Sequence, residues 1–255
     1  MHPWLTLLLL LVSVTSSAQI VNIEDKRKRL DSLGWFGQFD LTGSYVQNRN
    51  TVLTVGGGLR LDRLGRRGNV LFLSDYRLVQ VSGDNAVNAG FGHLRYGYEP
   101  TGRDGWRWET FGQAQYNEQL RLTLRLLIGT GVRRRLYRGP QGRSRAYLGL
   151  LYMYEYDELD ERSIVYRDHR LSSYLTLRLQ LSPTLAVAST TYYQPRLLDF
   201  DLPRISTVAN VSLKVLRTLA LTSDFSLTHD ERVNRDLPDV PATVVRWTNG
   251  VRLTW

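Results

Sequence analysis

Between Arg170 and Gln180 the chain reads RLSSYLTLRLQ, so that Leu171, Leu175, Leu177 and Leu179 alternate with Arg170, Ser172, Tyr174, Thr176, Arg178 and Gln180. Successive side chains of a β-strand point to opposite faces, whereas a helix of about 3.6 residues per turn would scatter the same leucines around its circumference. Only an extended strand separates them into one apolar and one polar face. The pattern recurs. Leu122, Leu124, Leu126, Ile128 and Val132 alternate with Arg121, Thr123, Arg125, Gly129 and Gly131. Leu219, Leu221, Phe225 and Leu227 alternate with Ala220, Thr222, Asp224, Ser226 and Thr228. The chain ends the same way, with Val245, Trp247, Val251, Leu253 and Trp255 against Arg246, Thr248, Gly250, Arg252 and Thr254. Each run is about ten residues long. At ~3.3 Å per residue and ~45° tilt, that length crosses an apolar band of ~25 Å.

Segments bounded by turn residues place strands at 35–47, 51–62, 69–81, 87–99, 105–118, 121–136, 144–156, 166–182, 184–196, 204–217, 218–230 and 243–255. The class expected is all-β, an antiparallel transmembrane outer-membrane β-barrel of about twelve strands. A soluble β-sandwich with one wet face would also alternate. Three features oppose it. The strands exceed the ~5–6 residues usual in sandwiches. Aromatics such as Tyr96, Tyr98, Trp106, Trp108, Tyr154, Tyr156, Tyr192 and Tyr193 gather near strand ends, where membrane girdles need them. The last residue is an aromatic on a strand that a closed barrel would pair with the first, leaving no edge in lipid. Val251, Leu253 and Trp255 are thus expected to form a closing-strand signal read by the barrel assembly machinery, which with outer-membrane lipid completes the expected partners.

The start, MHPWLTLLLLLVSVTSSAQ, has an apolar stretch and then small residues at Ser16 and Ala18, the pattern of a cleavable signal over 1–18. A charged periplasmic lead over 19–34 follows, and the barrel domain takes 35–255. The chain has no cysteine, which excludes disulfides, thiolate metal sites and a lipid-bearing cysteine. With both ends periplasmic, the odd-numbered connections are expected outside and long. They are read at DELDERSIV, LLDFDLP and HDERVNRDLPDVPA, against tight turns at Pro183 and Arg217.

Period two also assigns the inner face. Candidate lumen-lining residues are Arg95, Glu109, Arg125, Glu155, Arg178, Asp224, Arg246 and Arg252, with Arg60, Arg77, Arg107, Arg133, Arg135, Lys214, Asp40 and Asp75 on the same face. One reading is a ladder of Arg–carboxylate pairs that fills a narrow barrel. The other is an anion-preferring pathway, because fixed guanidinium charge lowers the barrier for anions. The net charge of +9 raises nucleic-acid binding as a third, but arginines alternating with apolar residues on strands form no exposed basic patch, and no nucleic acid is expected as partner.

His93, His169 and His229 are the histidines beyond the signal segment, and none has a serine in a recognisable nucleophile motif. No catalytic, cofactor or metal-ligating residue is expected, and the acidic DELDE run is read as a solvated loop.

The blocks NAGFGHLRYGYEP (88–100), ETFGQAQYNEQLRLTLRLLIGTGVRRRL (109–136) and YLGLLYMYEYDEL (147–159) resemble the YdiY-like family of salt-induced outer-membrane proteins, domain of unknown function 481. The resemblance runs in order from WFGQFDLTGSY to TNGVRLTW. It implies an outer-membrane barrel with a salt or osmotic stress association and brings no catalytic residues. The expectation is a structural or stress-related barrel protein, not an enzyme, with a narrow, anion-preferring pore for small solutes as the alternative.

Overall fold

A computed structural model describes residues 33–100, 105–160 and 163–253. The signal segment 1–18, the lead up to residue 32 and Trp255 lie outside the described residues. Twelve strands follow one another: β1 (Gly34–Gln47), β2 (Thr51–Leu64), β3 (Gly68–Val81) and β4 (Asp84–Tyr98). Next come β5 (Trp106–Asn117), β6 (Leu122–Arg138), β7 (Arg145–Leu159) and β8 (Ile164–Gln180). The chain ends with β9 (Leu185–Arg196), β10 (Asp199–Lys214), β11 (Leu219–His229) and β12 (Thr243–Leu253). Each is antiparallel to the next in a single meander ordered β1 to β12. The expected and observed strands correspond one to one, the widest departure being the start of β10 at Asp199 instead of 204.

The sheet curls into a barrel wall. Arg60 of β2 and Arg178 of β8 line one cavity, and Gln115 of β5 and Val244 of β12 line another. Among the described residues no ladder joins β12 to β1, where the sequence led us to expect closure. The physical difference is what each strand brings inside. Strands β4 to β10 are tied to one another inside the barrel by buried ion pairs, whereas the inner face of β1, with Gln38, Asp40 and Thr42, borders a cavity of about 600 Å³.

The wall has its polarity inverted relative to a water-soluble domain. Inside, Glu109 and Glu155 are 0% exposed and Arg170 is 1%. Outside, Ile128 is 63% exposed, Leu150 50% and Trp108 49%. Tyr96, Tyr98, Trp106 and Trp108 face outward near the end where β4 passes to β5, and Tyr152, Tyr193 and Trp247 are exposed elsewhere on the wall.

Two expectations need correction. The acidic stretch DEL is not a loop: Asp157, Glu158 and Leu159 end β7, because Asp157 and Glu155 are two residues apart, share the inner face and meet arginines there. Phe200 and Asp201 likewise lie within β10. The odd connections are therefore short, except 230–242 between β11 and β12, which carries the helix α1 (Glu231–Asp236). Alternation puts Leu122 on the same face as Leu124 and Ile128, yet it is 3% exposed inside the barrel while Ile128 faces outward. The ladder with β7 shifts between Leu122 and Leu124, and such a bulge reverses which residues face inward.

Candidate functional site

Opposite ends of the lumen are built differently. At the end reached by the β11–β12 connection, β7 places Glu155 and Asp157 inward, β6 contributes Arg125, β8 contributes Asp168 and Arg170, and β10 contributes Arg204. Arg204 grips Glu155 with two parallel hydrogen bonds of 2.8 Å, the bidentate geometry that a guanidinium makes with a carboxylate. Its Nε donates to Asp230 at 2.6 Å. Arg125 forms a second fork on Asp157, at 2.8 and 2.5 Å, and lies 3.9 Å from Glu155. Arg170 reaches Glu155 through Nε at 3.1 Å and Asp168 through Nη2 at 3.4 Å, and Nη1 donates to the Gln194 carbonyl at 2.9 Å. Arg232 of α1 closes the network on Asp168. Four arginines thus meet four carboxylates, and the cluster is neutral. That balance lets so many charges be buried, because an unpaired ion in a confined interior is costly.

The 230–242 connection caps this cluster. Val233, Leu237 and Val240 pack against Leu122, Leu159 and Tyr166. The Arg232 guanidinium lies 3.7 Å from the centroid of the Tyr166 ring, and the Tyr166 hydroxyl donates to Asp236. That hydrogen bond holds the Asp236 carboxyl below its ordinary range. Burial raises the Asp230 carboxyl, but the Arg204 and Arg125 charges and the hydrogen bond from Arg204 together outweigh it and hold the group low.

Below the cluster comes an apolar layer of Phe111, Leu127, Leu151, Met153, Tyr174 and Tyr192. Glycines make room for its rings: a Cβ on Gly149 would lie 2.1 Å from Tyr174, and one on Gly129 2.4 Å from Phe111. A second charged layer follows. Glu109 is 3.2 Å from Arg95 and 3.6 Å from Arg133, and accepts from the Tyr174 hydroxyl at 2.8 Å. Arg133 also stacks on Tyr147, 4.4 Å from the ring centroid. At the far mouth, Arg60 pairs with Asp62 at 2.5 Å and Arg107 with Glu99 at 3.0 Å, around a cavity of about 300 Å³.

Of the residues assigned inward from sequence, Arg95, Glu109, Arg125 and Glu155 sit buried in these layers, and Arg178 lines the far cavity. Asp224 stands apart, exposed, accepting from Asn210 at 2.7 Å. Arg246 is half-buried opposite Ser226, and the backbone of Arg252 pairs with Ala220. Val251 is exposed on β12 and the backbone of Leu253 pairs with Leu219. Asp157, Asp168, Arg204 and Asp230 were missed as lumen residues because each fell at a presumed strand end or loop. The spacing of two from Glu155 to Asp157 was the available signal.

The histidines are spread apart. His93 stacks on Phe111 inside, with Nδ1 3.0 Å from Gln113. His169 lies outside between Tyr152 and Tyr154, and His229 contacts Thr243 at 2.7 Å.

These features define a class: a twelve-stranded antiparallel β-barrel, apolar outside, with an ion-paired and partly filled interior. The chain belongs to the family described as protein of unknown function, DUF481, whose model matches residues 47–240. No curated protein matches it significantly in sequence. Among solved structures it is similar to a NanC porin (TM-score 0.44, 11% identity, 87% of this chain and 99% of that one). It is also similar to the β domain of the Bordetella autotransporter BrkA (TM-score 0.34, 14% identity, 87% and 98%). A third is OccK11 (OpdR) of Pseudomonas aeruginosa (TM-score 0.31, 12% identity, 77% and 74%).

Proposed function

We propose that this protein is a non-enzymatic barrel of the Gram-negative outer membrane whose main role is structural, with a filled half-lumen that stiffens the wall. The carrying observation is the inverted polarity: guanidinium and carboxylate groups at a few per cent exposure inside, leucines and tryptophans at about half exposure outside. Water would not sustain that outer surface, whereas hydrocarbon does. The salt or osmotic stress association rests on the family resemblance. Purified protein in planar bilayers tests the filled lumen, for which small or absent currents are expected. Large steady conductance would overturn the structural reading.

A second reading has its own observation. The inner face of β1 to β3, with Gln38, Asp40, Thr54, Asp75 and Arg77, borders a cavity of about 600 Å³ beside the filled half. A narrow pathway for small solutes would run there past the balanced charges of Asp40, Asp75, Arg60 and Arg77, its anion preference would come from the arginines beyond Arg60, and that preference would weaken as salt shortens the Debye length from about 10 Å at 0.1 M to about 3 Å at 1 M. The assembly-machinery partnership is tested by deleting Trp255: less heat-modifiable protein in outer-membrane fractions is expected, and unchanged assembly would refute it.

A further inference from the structure

The capped end of the lumen is not completely filled. Between the 230–242 connection and the wall lies a cavity of about 50 Å³, bordered by Leu120, Leu122, Leu159, Val233, Val240 and Val244. Arg125, Arg204 and Asp230 also line it. A mostly apolar chamber thus touches the charged cluster at Arg204, and the three carboxylates around that guanidinium are held in unequal ways.

Glu155 takes both terminal nitrogens of Arg204, each at 2.8 Å, and its side chain is 0% exposed. Asp157 is also 0% exposed and is gripped by the Arg125 fork. Asp230 accepts from Nε at 2.6 Å, and its side chain is 17% exposed, so this one carboxylate of the three already meets water. The Asp230 backbone is fixed separately, because its amide donates to the Ala242 carbonyl at 2.8 Å. The carboxylate can therefore rotate outward while the connection keeps its place. Arg204 stays oriented when it does, since Glu155 holds the other two nitrogens.

We propose that this cavity is a binding site for a short-chain aliphatic monocarboxylate, whose head replaces Asp230 on Arg204 Nε and whose tail lies along the leucines and valines. Charge sets the head. The cluster is balanced, so a ligand that displaces one carboxylate must bring one negative charge, or a guanidinium is stranded in a confined interior. A neutral head fails that condition and a dianion overshoots it. Size sets the tail: a cavity of roughly 150 Å³ holds a benzene ring, so one of about 50 Å³ takes roughly two or three carbons. The mostly apolar wall favours a plain alkyl chain, because a polar group set against leucine and valine loses its hydrogen bonds to water. Binding here requires no current through the barrel.

The test is equilibrium dialysis of the full-length folded protein, in zwitterionic detergent at neutral pH, against radiolabelled butyrate. Butyrate is expected to bind at one saturable site per chain and to be displaced by unlabelled propionate, but not by butyramide, its neutral counterpart of the same shape. D230N removes the internal competitor and leaves four guanidiniums facing three carboxylates, so it should tighten butyrate binding by roughly tenfold, the scale of one hydrogen bond to a charged group. V240F fills the cavity and should abolish saturable binding. Should V240F fail to fold, D230N decides alone, because misfolding does not raise affinity for a specific anion. No saturable binding in either wild type or D230N, displacement by butyramide as effective as by butyrate, or an unchanged affinity in D230N would overturn the proposal. Each of these results leaves the bilayer-current test of the barrel's role untouched.

Discussion

Replacing Glu155 by glutamine probes whether the lumen is a set of matched ions. Glu155 is 0% exposed and receives two 2.8 Å bonds from Arg204 and one contact of 3.1 Å from Arg170. Glutamine has nearly the same shape, so the layer loses no volume. It does lose one negative charge, leaving four guanidiniums facing three carboxylates, and one of its terminal atoms becomes a donor pointed at donors. Removing one partner of a buried ion pair costs about 3–5 kcal/mol, chiefly because the remaining charge is stranded. Glu155 is shared by more than one arginine, which places the expected loss in the upper part of that range. The assay is denaturant unfolding in detergent micelles, followed by tryptophan fluorescence and by heat-modifiable migration. A double-mutant cycle with Arg204→Met separates the ion pair from other effects: E155Q/R204M should be markedly less unstable than the sum of the two single changes. A loss under about 1 kcal/mol for E155Q, or strict additivity in the cycle, would refute the view of a coupled, charge-balanced cluster.

Ile128→Arg, on the outward face near the middle of β6, should destabilise the barrel by roughly 2–4 kcal/mol in lipid vesicles if the residue meets the bilayer midplane, and an equal loss in folding yield with and without lipid would contradict that placement. Gly149→Ala puts a Cβ into the Tyr174 ring and should cost about 1–3 kcal/mol, measured by urea unfolding; a neutral change would mean that the ring has room to move. The cap should be acid-labile: the Asp230 and Asp236 carboxyls are held below their ordinary value of 3.8, so their stabilisation is complete above that value and is lost as pH falls through the lower folded values. Proteolysis within 230–242 by an acid-active protease should accordingly rise below about pH 4, and D236N should lose part of that rise; a pH-independent cleavage rate would rule out carboxylate anchoring.

What the sequence determined by itself is everything that depends on local alternation. Successive residues of a strand must face opposite ways whatever the strand packs against, so the twelve strands, their antiparallel order and the inward facing of Arg95, Glu109, Arg125 and Glu155 follow from period two and turn residues. Even there one bulge sufficed to reverse Leu122, because inserting a single residue exchanges the faces beyond it. Only the tertiary structure decided which charges meet. Glu155 and Arg204 are 49 residues apart and Glu109 and Tyr174 are 65 apart. Their meeting depends on how far the sheet curls and on the heights at which their strands stand, and neither quantity is written in the alternation of one strand. Acidic DEL at the end of β7 illustrates the limit: composition alone makes it a solvated loop, and it becomes an interior segment because Arg125 and Arg204, from β6 and β10, supply the opposite charge that makes burial affordable.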